Sequence, residues 1–142
     1  MLAETVPRQT QRLYHLVDQA KPNIDLSERL VAAEEAIYAS KSDPMVNWDV
    51  EDLKLAFEAA GLVVEVINEQ TSSQLHITST LLERWFAPTN PKKERPTYAQ
   101  HLAHFLKPAE LKTVQDLFTR CLLNQTVSWS NTIAFVRASA VL

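Results

Sequence analysis

Residues 49–67 read DVEDLKLAFEAAGLVVEVI, which is a short helix, a hard stop and a strand. Leu53, Ala56, Phe57 and Ala60 recur at helical spacing and form one apolar stripe. Asp49 stands at the helix start, where free N–H groups and the positive end of the dipole favour a carboxylate. Gly61 is the single glycine of the chain and falls just past the last helical residue. A left-handed backbone ends a helix there, and glycine adopts it without steric cost. Val63 to Ile67 are β-branched apart from Glu65, which predicts a strand. A helix that packs its stripe on the strand following it makes an α/β layer.

The rest of the chain extends that layer. Thr126 to Ala138 alternates, with Val127, Trp129, Ile133 and Phe135 on one face and Ser128, Ser130 and Thr132 on the other. That is a half-buried strand, expected antiparallel to Leu62–Ile67 because a helical excursion brings the chain back. Leu2–Val6, ended by Pro7, reads as a third strand. A chain that opens inside a strand reads as a piece of a longer protein. Asn68–Ser73 is expected as a polar break, and Gln74–Ile77 as a second short strand or an extended lead-in to the next helix.

Helices are expected over Arg8–Ala20 (closed by Pro22), Leu26–Ala39, Thr78–Phe86, Thr97–Leu106 and Ala109–Leu123. Asp25 with Glu28, and Thr97 with Gln100, have the spacing of capping boxes. Pro108 suits a first helical position, where its missing N–H is not needed. Ala87–Pro96 holds three prolines with Lys92, Lys93 and Arg95 and reads as a loop.

The 142 residues fit one domain, 46% of them hydrophobic, enough to build a core. No run of about 18 apolar residues is present, so no membrane span is expected. There is no secretory pattern at the N-terminus, and the lone Cys121 cannot pair within the chain, so a cytoplasmic location is expected. Charge is uneven: residues 1–70 hold 6 Lys+Arg against 13 Asp+Glu, and residues 71–142 hold 8 against 4. A basic second half raises the prospect of an anionic partner such as nucleic acid. Nucleotide and AdoMet sites use glycine-rich turns that let backbone approach the ligand. One glycine, spent on a helix stop, leaves no such turn, and no cofactor is expected on this chain.

Candidate reactive groups are few. His101 and His104 are three apart, but a metal site needs more ligands. Cys121 lies on an apolar helix face and reads as core. Asp25, Glu28, Glu34 and Glu35 read as a solvated helix face. Glu83-Arg84-Trp85-Phe86 reads as a core anchor with a polar rim, or as the lip of a ligand cleft.

Several of these pieces together resemble the C-terminal half of a class I AdoMet-dependent methyltransferase. Leu2-Ala3-Glu4-Thr5-Val6-Pro7-Arg8 is similar to the strand after that family's fourth helix and its exit. Asp52-Leu53 through Gly61-Leu62 is similar to the last helix and the entry to the sixth strand. Val127–Val136 is similar to the seventh strand, which turns back between the fifth and sixth. The insertion carrying Glu83–Phe86 and the helices between Thr97 and Gln125 depart from a minimal member. The combination also resembles the end of a cyanobacterial fusion in which a replication-associated recombination AAA+ ATPase precedes a methyltransferase-like segment. The resemblance implies a Rossmann-like fold over residues 1–142, with about three strands, one antiparallel pair, and five or six helices. It implies a substrate- or partner-binding module, not catalytic alone, within a parent linked to DNA replication and recombination. An interaction domain with no transferase ancestry and part of an active methyltransferase are the alternatives. Expected partners are the rest of the parent chain, DNA or a replication protein. Residues expected on the ligand or partner surface are Pro7, Arg8, Arg84, Trp85, Lys92, Lys93 and Arg95. No catalytic residue is carried over.

Overall fold

The computed structural model describes residues 2–20, 23–40, 46–90 and 95–140. The chain divides into two compact units, one made of residues 1–11, 38–73 and 129–142, the other of 12–37 and 74–128.

The first unit carries most of a three-stranded sheet. Its strands are β1 (Leu2–Thr5), β2 (Leu62–His76) and β3 (Thr126–Ala140), with β3 in the middle and antiparallel to its neighbours. Both pairings are antiparallel, where one had been expected. β1 aligns Leu2 with Val136 and Thr5 with Ile133. The ladder continues past the strand end, because the Val6 N–H donates to the Thr132 carbonyl at 2.9 Å and the Gln11 N–H to that of Ser130 at 3.3 Å. Val6, Thr132, Ala134 and Val136 are buried. The fully buried positions of β3 are thus even-numbered, whereas the larger side chains of Ile133 and Phe135 on the other face are only half-buried. Small or branched side chains suit that face.

The helix of the opening stretch, Val50–Ala59, is where it was expected. Asp49 accepts from the Asp52 N–H and Asp52 accepts from that of Asp49, both at 3.0 Å. This reciprocal pair satisfies two donors of the first turn. Gly61 follows at φ 83°, with nothing within 4 Å of where a Cβ would stand. Its role is conformational, not steric. The expected stripe is only half realised: Leu53 and Phe57 are half-buried, and Ala56 and Ala60 are exposed. β2 also runs unbroken through Asn68–Ser73, with no separate second strand. β3 is as long as β2, and Thr71, Ser72 and Ser73 tolerate extended backbone.

The second unit holds the larger core. Four helices, Ile24–Ala39, Ser79–Phe86, Tyr98–Leu102 and Pro108–Leu122, carry the apolar positions; in chain order, with Val50–Ala59 as α2, they are α1, α3, α4 and α5. Leu26, Leu30, Leu82, Phe86, Leu102, Val114, Leu117 and Phe118 bury together with Ile77. Phe86, Tyr98 and Phe118 meet at centroid distances of 5.2 to 5.9 Å, within the range of favourable ring packing. α5 opens at Pro108 and closes before Asn124, which takes φ 62°. Asparagine is the residue that best replaces glycine in that conformation. The Ile77 N–H and carbonyl then bond Gln125 and Asn124, both at 2.8 Å, which fixes the chain beside this stop.

Two expected helices change. Arg8–Ala20 is not one α-helix but two 3-10 stretches, Pro7–Gln9 and Leu13–Ala20. Its expected stop, Pro22, lies outside the described residues. The cap of α1 is Asn23, whose side chain accepts from the Leu26 N–H at 2.7 Å; Asp25 falls one step inside the first turn. α4 ends at Leu102, earlier than expected, and turns carry the chain to Leu106.

Candidate functional site

A cleft of about 800 Å³ lies beside α3 and α4 of the second unit. Thr78 caps α3 by accepting from the Leu81 N–H at 3.1 Å. The helix then buries Leu82 and Phe86, and this rotation leaves Glu83 and Arg84 exposed and Trp85 half-buried at the cleft. Trp85 rests edge-on against Phe118 at 6.5 Å. On the far side Thr97 starts α4. Its hydroxyl donates to the Ala87 carbonyl at 2.7 Å and accepts from the Gln100 N–H at 3.1 Å, while the Gln100 side chain takes the Thr97 N–H at 2.8 Å. One threonine therefore ties the end of α3 to the start of α4. The Asn90 amide donates to the Arg95 carbonyl at 2.8 Å and holds the two ends of the intervening loop.

Tyr98 lines the same cleft, and its hydroxyl leads to a buried acid. Glu34 is 1% exposed and accepts from the Tyr98 hydroxyl, from the Leu13 N–H at 2.6 Å and from the Tyr14 N–H at 3.1 Å. Burial pushes its carboxyl above the usual range, against the pull of those three donors. Next to it, Arg12 donates to both oxygens of Glu35, at 2.9 and 3.4 Å, and the Tyr14 hydroxyl donates to Glu35 at 2.8 Å. Burial raises Glu35 too, but the bonds from Arg12 and Tyr14 outweigh it and the carboxyl ends below its usual range. Burial, then the bond to Glu35, push the Tyr14 phenol up to about 12. The two acids thus share one site with opposite shifts: Glu35 is paired with a cation, and Glu34 is met by neutral donors.

Chemically this is a fixed wall. Tyr98 presents its ring to the cleft while Glu34 holds its hydroxyl from behind. Glu34 also takes the first free N–H groups of the 3-10 stretch Leu13–Ala20, as a cap supplied by a distant helix.

The residues expected on a ligand surface fall in separate places. Arg84 and Trp85 line the cleft. Arg95 is half-buried and adjoins it through its carbonyl. Lys92 and Lys93 lie outside the described residues. Pro7 and Arg8 belong to the other unit. There Pro7 opens a 3-10 turn and Arg8 reaches Asp52 at 3.2 Å and Asp49 at 3.5 Å, at the start of α2. Asp25 and Glu28 are solvated as expected, but Glu34 and Glu35 are not. The signal for Glu34 was present: it lies four residues after Leu30 and beside Ala33, on the apolar stripe of its own helix. Tyr98 gave no comparable sign, since only the fold brings it to Glu34. Among the described residues no His, Cys, Asp and Glu side chains gather as a metal site, and no helix is long and apolar enough to cross a membrane. Comparison with known protein families, curated proteins and solved structures finds no match to this chain.

Proposed function

We propose that this chain is a substrate- or partner-binding module of a larger methyltransferase-like protein, coupled to an AAA+ ATPase of DNA replication and recombination, and not catalytic alone. The observation that supports it is the position of β3, reversed between β1 and β2. That is the order expected where the last strand of a methyltransferase sheet turns back between the two before it. On this reading the cleft at Trp85 and Tyr98 is the contact site, and any AdoMet pocket lies in another part of the parent protein. Titration of the chain with AdoMet, followed by amide NMR, leaves the spectrum unchanged. Shifts with micromolar affinity reject the reading.

A second reading, contact with single-stranded nucleic acid, is favoured by Arg84 standing next to Trp85 at the cleft. A ring for base stacking beside a cation for phosphate is the usual pairing in such grooves. Binding of an oligothymidylate then falls steeply with salt, and Arg84→Ala lowers the slope by about 0.7, one single-strand phosphate contact. No binding at low salt removes nucleic acid as a direct partner.

A further inference from the structure

We propose that the free edge of β2 docks an extended peptide segment in which apolar and basic residues alternate. β2 is the terminal strand of the sheet and 15 residues long. Long edges are normally blunted by proline, lysine or a covering loop, because their unpaired N–H and C=O groups recruit other strands. Leu62–His76 contains no proline, lysine or arginine. Among the described residues, no backbone hydrogen bond from a turn or loop reaches it.

The side chains specify the occupant. Val63 and Ile67 are 58% and 59% exposed. Glu65 stands between them and Glu69 follows, both exposed. Period two puts these four on one face of the strand. A strand added at the edge sets its own residues directly opposite, where unlike charges and apolar pairs stabilise and like charges oppose. Apolar residues therefore belong opposite Val63 and Ile67, and Lys or Arg opposite Glu65 and Glu69. A second copy of this chain is the poorer occupant. Its β2 brings two carboxylates and no Lys or Arg to meet two carboxylates. The other edge, β1, has four residues and offers little length for pairing. The edge shares no residue with the cleft lining, so failure of either assignment leaves the other standing.

The test uses roughly ten-residue peptides, one alternating Val and Lys with Thr between, the other with Glu in place of Lys. Amide hydrogen exchange and titration are followed on the whole chain. The basic peptide protects amides within 62–73, and its affinity falls with salt. The double variant Glu65→Lys, Glu69→Lys, at exposed positions that leave the core intact, weakens the basic peptide and strengthens the acidic one, each by about tenfold. Equal binding of both peptides, or protection confined to residues outside β2, overturns the proposal. So does a dimer whose β2 amides are protected without peptide, which gives the edge to a second copy.

Discussion

Glu34 shows how one residue can organise several segments. Its carboxylate gathers two backbone N–H groups and one phenol from stretches 20 to 64 residues away. Replacing it by leucine keeps the bulk and strands the buried N–H groups of Leu13 and Tyr14. Each buried donor left unmade costs about 1–3 kcal/mol, so urea denaturation of Glu34→Leu reads a loss of at least that size. The pH dependence has a definite sign. Burial holds the folded carboxyl above its unfolded value of about 4.3. The folded chain therefore binds the extra proton, and the stability it contributes is full below that value and lost as pH rises through the raised one. Glu110 acts the other way: the hydrogen bond from Arg29 draws it down to about 2, so its contribution is present near neutrality and lost on acidification. Glu34→Gln abolishes the decline on the rising side and keeps the loss in acid. Parallel stability curves for the two proteins would sink this assignment. Gly61 makes the complementary point. Its site has room for a side chain but sits at φ 83°, so Gly61→Ala costs about 1–2 kcal/mol, read in the same assay, without a packing defect.

At the scale of elements, the fold keeps most of what the sequence spells locally, although Asn23 takes the place of the expected Asp25 cap. The Asp49 and Thr97 caps, the Gly61 stop and Pro108 at the start of α5 all act within a few residues, and each stands where its chemistry puts it. What the sequence leaves open depends on distant partners. Arg8–Ala20 has helical spacing, yet it forms two 3-10 stretches, the second of them capped by Glu34 from another helix. Asn68–Ser73 reads as a break, yet a strand of equal length keeps it extended. The same division runs through the cleft. Arg84 and Trp85 were legible within the tetrapeptide Glu83–Phe86, and Glu34 on the apolar stripe of its helix, while Tyr98 gave no sign. α5 is the element with most to lose: Phe118 is fully buried and touches three other rings. Phe118→Ala removes them together, at a cost of about 3–5 kcal/mol. Chemical denaturation checks the size, and loss of the near-ultraviolet signal of Trp85 checks that the aromatic cluster is the part disturbed.

At the scale of the molecule, the two units differ in how much they bury. The second unit owns a contiguous cluster from Val17 to Leu122. The first owns Val6, Ala134 and Val136 with the hydroxyl-bearing Thr132, and its helix α2 buries no residue fully. Local opening follows such differences, because a segment with few buried apolar contacts opens at a small free energy, while core helices open only with the whole. Native-state hydrogen exchange should therefore rank α2 well below α5. The amides of Val50–Ala59 exchange through small openings that denaturant hardly affects, and those of Val114–Leu122 through openings that denaturant strongly favours. Phe118→Ala then lowers protection in α5 and leaves α2 nearly unchanged, since α2 was already limited by its own opening. A peptide held at the edge of β2 reverses part of the ranking by protecting the strand of the weaker unit. If α2 and α5 exchange with one free energy and one denaturant dependence, the chain opens as a single block, and the difference in burial between the units has no thermodynamic consequence.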